Sequence, residues 1–236
     1  MECLVLFGSQ TGNSEQTADN IAAHINANSS KFSHCTSRSM QLDDFLEAEQ
    51  CYWPELVVIV VSSYGVGQAP IGAYKFRELV DEKASITKNQ KILSPVRYFM
   101  LGLGDSKYTT FFKNPTQINE GMLNFGARRI GELGKADASD NQALAIKLWC
   151  ENVCYPGLEK ECKKIGGKND ELKLAQKAVW SMCRSLWPEE FKKILGGKKK
   201  KSPDNVGGWR FILIPLIVAM IVSFFIARMK FGGGGI

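Results

Sequence analysis

Residues 8–14 read Gly8-Ser9-Gln10-Thr11-Gly12-Asn13-Ser14, with three hydroxyl side chains and two glycines in seven positions. A continuous apolar run at positions 3–7 precedes them, and positions 15–25 have the apolar spacing of a helix. A strand, a tight turn and a helix start within so few residues make an anion site. The first helical turn offers free N–H groups, the helix dipole adds partial positive charge, and Ser9, Thr11 and Ser14 can each donate an O–H. No Lys or Arg lies in the loop. A phosphate held here is therefore bound by neutral donors, which suits a monoester tucked into protein better than a nucleoside triphosphate with magnesium. An ordinary Ser/Thr-rich helix cap is the other reading of this loop taken alone.

Two further loops carry the chemistry on. Ser62-Ser63-Tyr64-Gly65-Val66-Gly67 and Gly102-Leu103-Gly104-Asp105-Ser106-Lys107-Tyr108 each set a tyrosine beside glycines. Glycines let the main chain approach the edge of a flat ligand, and a tyrosine can cover its face. Either tyrosine singly is an ordinary aromatic; both together, at equivalent places, point to a planar mononucleotide. No general acid or base stands near these loops, and Asp105 reads as a buttress of its own turn. The sequence supplies neither a catalytic residue nor a metal cluster.

The elements that must position these loops alternate. Residues 56–61 are apolar at every position and mostly β-branched, which marks a central parallel strand covered on both faces. Residues 96–103 form another apolar strand, 31–40 a weak second strand and 129–133 a short last one. Helices are expected over 15–25, 73–82, 116–125 and 141–164, with a short polar helix or turn at 43–49 and Gly126 capping the helix at 116–125. The result is an α/β fold with a doubly wound, five-stranded parallel sheet and right-handed crossovers. All three loops then fall at the carboxyl ends of strands, the edge where open α/β sheets bind ligands.

The chain has 236 residues, with 30 Lys and Arg against 24 Asp and Glu. Residues 1–165 hold 17 and 19 of these, leaving 13 and 5 for residues 166–236. The folded part is slightly acidic, which counts against a nucleic-acid partner. Seven cysteines contain no Cys-x-x-Cys pair, and no apolar leader opens the chain, so they read as free thiols in a reducing compartment.

The segments 8–15, 62–67 and 101–108 resemble the flavodoxin-like FMN-binding domain of the diflavin reductases; 125–129 and 131–137 also match, and resemble the methionine synthase reductase branch in particular. The likeness covers residues 1 to about 165 in order. It implies a flavodoxin strand order and FMN as cofactor. The ribityl phosphate would sit on Ser9, Gln10, Thr11, Gly12, Asn13 and Ser14. Tyr64 and Tyr108 would cover the isoalloxazine, with Ser63, Gly65, Gly67, Leu103, Gly104, Asp105 and Asp137 completing the site. Where the family carries acids that guide redox partners, this chain has Val66, Gln68 and Ile71, and Asp137 stands alone before Ala138. Weaker electrostatic steering, or a partner of different character, is the expected consequence.

After residue 165 the pattern changes. Residues 171–186 form an amphipathic helix that either packs on the domain or lies on a membrane surface. Four lysines follow at 198–201. Residues 211–227 are apolar except Ser223, and the stretch 209–231 is long enough to cross a hydrocarbon core of ~30 Å. The expected organisation is a flavodoxin-like domain at 1–165, an amphipathic helix and basic linker at 166–208, a transmembrane helix at 209–231 and a short tail at 232–236. The lysines before the span place the domain in the cytosol. That is a single-pass tail anchor, in the endoplasmic reticulum by preference or the outer mitochondrial membrane. The seventy-odd residues after 165 do not hold the FAD/NADPH half of the reductases, so a separate NAD(P)H-dependent reductase is the expected donor. Electrons would pass singly to a haem protein or other acceptor. Two rival readings are a flavin-free, membrane-tethered interaction module and a flavin enzyme acting directly on a quinone or small acceptor.

Overall fold

The computed structural model describes residues 1–47, 53–84, 91–165 and 169–197. Its parallel sheet is built from β1 (Glu2–Gly8), β2 (Thr36–Gln41), β3 (Leu56–Ser62), β4 (Arg97–Gly104), β5 (Arg128–Arg129) and β6 (Gly134–Asp137), in the order β2-β1-β3-β4-β5 with β6 also on β4. Helices are α1 (Asn13–Ala27), α2 (Leu42–Glu47), α3 (Tyr74–Ala84), α4 (Lys113–Asn124), α5 (Gln142–Trp149), α6 (Tyr155–Cys162), α7 (Asn169–Leu186) and α8 (Pro188–Gly197). The order reverses between β1 and β3, which makes the carboxyl edge there a cleft.

The central strands are apolar throughout because both faces are covered. On β1, Cys3, Val5 and Phe7 enter the layer under α1, α5 and α6, while Leu4 and Leu6 enter the layer under α2, α3 and α4. On β3, Leu56, Val58 and Val60 divide from Val57, Ile59 and Val61 in the same way. Register then fixes the site edge. Gly8 pairs with Val61, Ser62 with Leu103 and Gly104 with Asp137, so four strand ends finish level.

Several elements differ from expectation. The second strand starts at Thr36, because Ser33 and His34 take left-handed φ values of 52° and 57° and close a turn. The last strand position is filled twice. Arg128–Arg129 and Gly134–Asp137 each pair with β4, and residues 130–133, expected as strand, bow out around Gly131. The closing helix contains a π-helical turn at Cys150–Cys154. Pro156 follows within the first turn of α6 and has no N–H to continue an α ladder, which is the local reason for the wider turn. Gly126 does end α4, with φ 88°.

The helix left between domain and membrane surface packs on the domain. Leu172, Ala175, Val179 and Cys183 of α7 are buried in the layer with α3, and Trp187 Nε1 donates to Glu78 at 2.9 Å. The compact unit accordingly runs Met1–Phe191 and takes in a helix the sequence reading set apart from it. The second unit is Lys192–Ile236. The expected transmembrane segment at 209–231 lies outside the described residues. Among the described residues no helix is long and apolar enough to cross a membrane. Six of the cysteines are described, all buried as free thiols.

Candidate functional site

The level strand ends open a cleft of about 340 Å³. From the first loop it is lined by Gln10, Thr11, Asn13 and Ser14; from the second by Ser62, Ser63, Tyr64 and Gly65. The third supplies Leu103, Gly104, Asp105, Tyr108, Thr110 and Phe111, and Ala138 and Gln142 close the side. Eleven of the fifteen residues expected from sequence therefore line one cavity. The other four support it. Ser9 Oγ accepts the Gly12 N–H at 3.0 Å and folds the first loop back on itself. Gly67 closes the second loop, where a Cβ would stand 2.6 Å from the Lys113 side chain at φ 86°. Asp137 accepts the amides of Ser106 and Ser139, both at 2.9 Å.

No side chain caps α1, whose Ncap is Gly12 in a left-handed conformation. Its first-turn N–H groups thus face the loop without a protein acceptor from a cap. Ser14 sharpens the point. It is 1% exposed, and its hydroxyl has no partner. Ser62 Oγ, across the cleft, is likewise buried and unpartnered. A buried hydroxyl without a partner costs free energy, and an acceptor group arriving in the cleft removes that cost. Both tyrosines, in contrast, stand exposed, 47% for Tyr64 and 59% for Tyr108. The donor set, the orphaned hydroxyls and the two uncovered aromatics fit a phosphate-bearing flat ligand.

The loops are cross-braced by residues the sequence reading missed. Thr110 donates to the Gly65 carbonyl at 3.2 Å. Asn114, fully buried, gives its amide N–H to Ser63 Oγ at 2.9 Å and its side chain to the Ser62 carbonyl at 2.8 Å. Gln142 receives Asn13 Nδ2 at 3.2 Å and donates to the Ala136 carbonyl at 3.1 Å, so one side chain joins the first loop to β6. Thr110 and Phe111 follow Tyr108 in its loop and could have been read from adjacency. Gln142 sits far along the chain as the first residue of α5, with no local signal.

Charge is sparse. Asp105 is the sole ionisable carboxylate or base among the lining residues. The Ser139 hydroxyl and the Lys107 amide hold it below the usual carboxylate range. Hydrogen bonds from Ser106, and then from the Ser139 amide, do the same for Asp137. Both groups are thereby spent on fastening the 105–108 turn to the 137–139 turn. Among the described residues no cluster could hold a metal.

The sequence profile of the flavodoxin family matches residues 5–149. The chain belongs to the flavodoxin family. FMN is the cofactor of that domain. Methionine synthase reductase from Rattus norvegicus is 31% identical over 192 residues, 79% of this chain and 26% of that protein. NADPH–cytochrome P450 reductase from Saccharomyces cerevisiae is 32% identical over 134 residues, 57% of this chain and 18% of that protein. The chain spans about a quarter of the length of the methionine synthase reductases it matches. A mutant flavodoxin from Pseudomonas aeruginosa superposes with a TM-score of 0.49 at 19% identity, covering 73% of this chain and 99% of that one. This is a flavodoxin-like electron-transfer domain related to those of the diflavin reductases.

Proposed function

We propose that the protein is a membrane-tethered FMN electron carrier. It accepts electrons from a separate NAD(P)H-dependent reductase and passes them singly to a haem protein or other redox acceptor. The observation that carries the reading is the buried, unpartnered Ser14 hydroxyl at the uncapped start of α1, in one cleft with two exposed tyrosines. Ser9, Gln10, Thr11, Asn13 and Ser14 would hold the phosphate with neutral donors, and Tyr64 and Tyr108 would flank the ring and exclude water from it. Bound there, FMN supplies a group that takes up a pair of electrons and releases them one at a time. The chain's own part is to bind, orient and shield: Gln142 and Asn114 keep the loops in register, and Asp105 and Asp137 fix the turn that carries Tyr108.

Sequence beyond the described residues supports the tether. Residues 209–231 have the length of a membrane span, and lysines 198–201 before it favour a cytosolic domain. Only the 17 residues 192–208 lie between the compact unit and that span, too few to seat a dinucleotide-binding domain between them. The endoplasmic reticulum is the preferred membrane, with the outer mitochondrial membrane as the other.

The full chain, purified in detergent, should be yellow, with flavin absorbance and one FMN released per chain on denaturation. A colourless fold that ignores added FMN would overturn the proposal.

A further inference from the structure

We infer that the rim of the cleft docks a redox-partner protein whose own contact face is apolar and nearly neutral, so that recognition proceeds by shape and desolvation instead of charge. The inference rests on the electron-carrier reading. Its starting point is where the exposed apolar side chains lie. Ten large hydrophobic residues are exposed among the described residues, and five of them, Tyr64, Val66, Ile71, Tyr74 and Tyr108, belong to the second and third loops or the helix start beside them. Residues 62–74 contain no acidic or basic side chain at all. Thirteen consecutive residues at an exposed sheet edge, uncharged and carrying four of those five side chains, form the kind of patch that marks an interaction site.

The patch is presented on fixed backbone. Tyr64 and Gln68 exchange two main-chain hydrogen bonds, at 3.0 and 2.8 Å, and hold Val66 out at the tip, 70% exposed. Thr110 pins the Gly65 carbonyl, and the Ile71 carbonyl accepts the Ser9 amide at 3.1 Å. Tyr74 and Phe76 give their amides to Asp43 at 2.9 and 3.0 Å, which seats the start of α3. Little backbone ordering is left to be done when a partner arrives, which favours docking.

Charge selects the occupant. On the third loop Asp105 is balanced by Lys107 and already accepts hydrogen bonds from Ser139 and the Lys107 amide; Asp137 is equally committed. A strongly basic or acidic partner finds no complementary field here. An anionic lipid surface calls for a basic cluster around an apolar patch, and residues 62–74 offer no Lys or Arg. Lys113 beside Gly67 is a single cation, and Lys75 after Tyr74 is held by Glu47 and Glu190. The patch is also continuous with the cleft, since Tyr64, Gly65 and Tyr108 belong to both. A protein seated on it lies against the two tyrosines that flank the cofactor site.

The test uses the full chain in its own membranes, with the photoreactive residue p-benzoylphenylalanine in place of Val66. Irradiation should join it to a flavin or haem protein. Electron exchange between that protein and the FMN-loaded chain is then followed in stopped flow, for wild type and for the double variant Val66→Glu, Ile71→Glu. Raising salt tenfold should change the wild-type rate less than about twofold, because screening has little to act on. The double variant should exchange about tenfold or more slowly, as for loss of a central apolar anchor, with FMN affinity unchanged. Adducts to lipid, to a second copy of the chain or to no protein overturn the inference. So does a rate that collapses with salt, or a double variant as fast as wild type. Failure of the wild-type chain to bind FMN would instead strike the electron-carrier reading itself, and titration of FMN into each protein separates the two.

Discussion

Ser14 is the residue on which the site turns. Its hydroxyl is buried without a partner, so replacing it by alanine removes a desolvated polar atom from the cofactor-free protein and a donor from the loaded one. Ser14→Ala should therefore leave the melting temperature of the FMN-free protein unchanged or raised, and weaken FMN binding about tenfold or more by fluorescence titration. A residue serving only the fold would show the reverse pattern. Tyr64 and Tyr108 make the complementary case. Both are exposed, so the double variant Tyr64→Ala, Tyr108→Ala should keep its far-ultraviolet circular dichroism while FMN affinity falls by roughly ten- to a hundredfold, the worth of two aromatic contacts. Unchanged affinity would count against stacking. The donors and tyrosines were legible in sequence because their types and spacing are local. Gln142 was not, since only the docking of α5 brings it to Asn13.

Among the elements, the end of the sheet remote from the cleft is held by charge. Arg97 on β4 pairs with Glu161 of α6 and with Glu55, at 3.2 Å, before β3; Arg128 and Lys164 add to Glu161 at 3.3 and 2.7 Å. Burial alone raises the Glu161 carboxyl, but hydrogen bonds from Lys164 and Arg97 outweigh it and leave the group below its ordinary value. A carboxyl depressed in the fold stabilises at pH above its unfolded value, and that contribution is lost as pH falls through the folded one. Urea midpoints should thus fall as pH drops below about 4.3, the ordinary glutamate value. Glu161→Gln should be less stable at pH 7, by about 1–3 kcal/mol because buried Arg97 loses one of its two acidic partners and keeps Glu55, and should lose part of this acid limb. An identical acid slope in the variant would show the cluster to be idle. Strand and helix identities here were readable from apolar period. The division of the last strand was not, because it answers to contacts made elsewhere: Gly134 packs on Trp149 and Leu101.

For the whole molecule, the position of α7 matters most. An amphipathic helix gives the same periodic signal whether protein or membrane covers its face. Burial of Leu172, Ala175, Val179 and Cys183 beside α3 answers the question for the protein. The proposed tether therefore falls to residues 209–231 alone. Removing them should release the protein from membranes into the supernatant after an alkaline carbonate wash, with FMN binding retained. Continued sedimentation with the membranes would place the attachment elsewhere.

Sequence by itself determined the sheet, the tight turn at 8–14 that opens α1 and the pairing of two tyrosine loops, because a buried parallel strand, a glycine turn and a helix start each leave a short-range mark. It also carried the uncharged run 62–74, with Val66, Gln68 and Ile71 in it. Tertiary structure alone decided that these uncharged residues share one rim with the cleft, that Gln142 and Asn114 brace the loops, and that α7 belongs to the core. Those facts depend on strand register and helix docking, which set neighbours that are distant in the chain and leave no periodic trace in it.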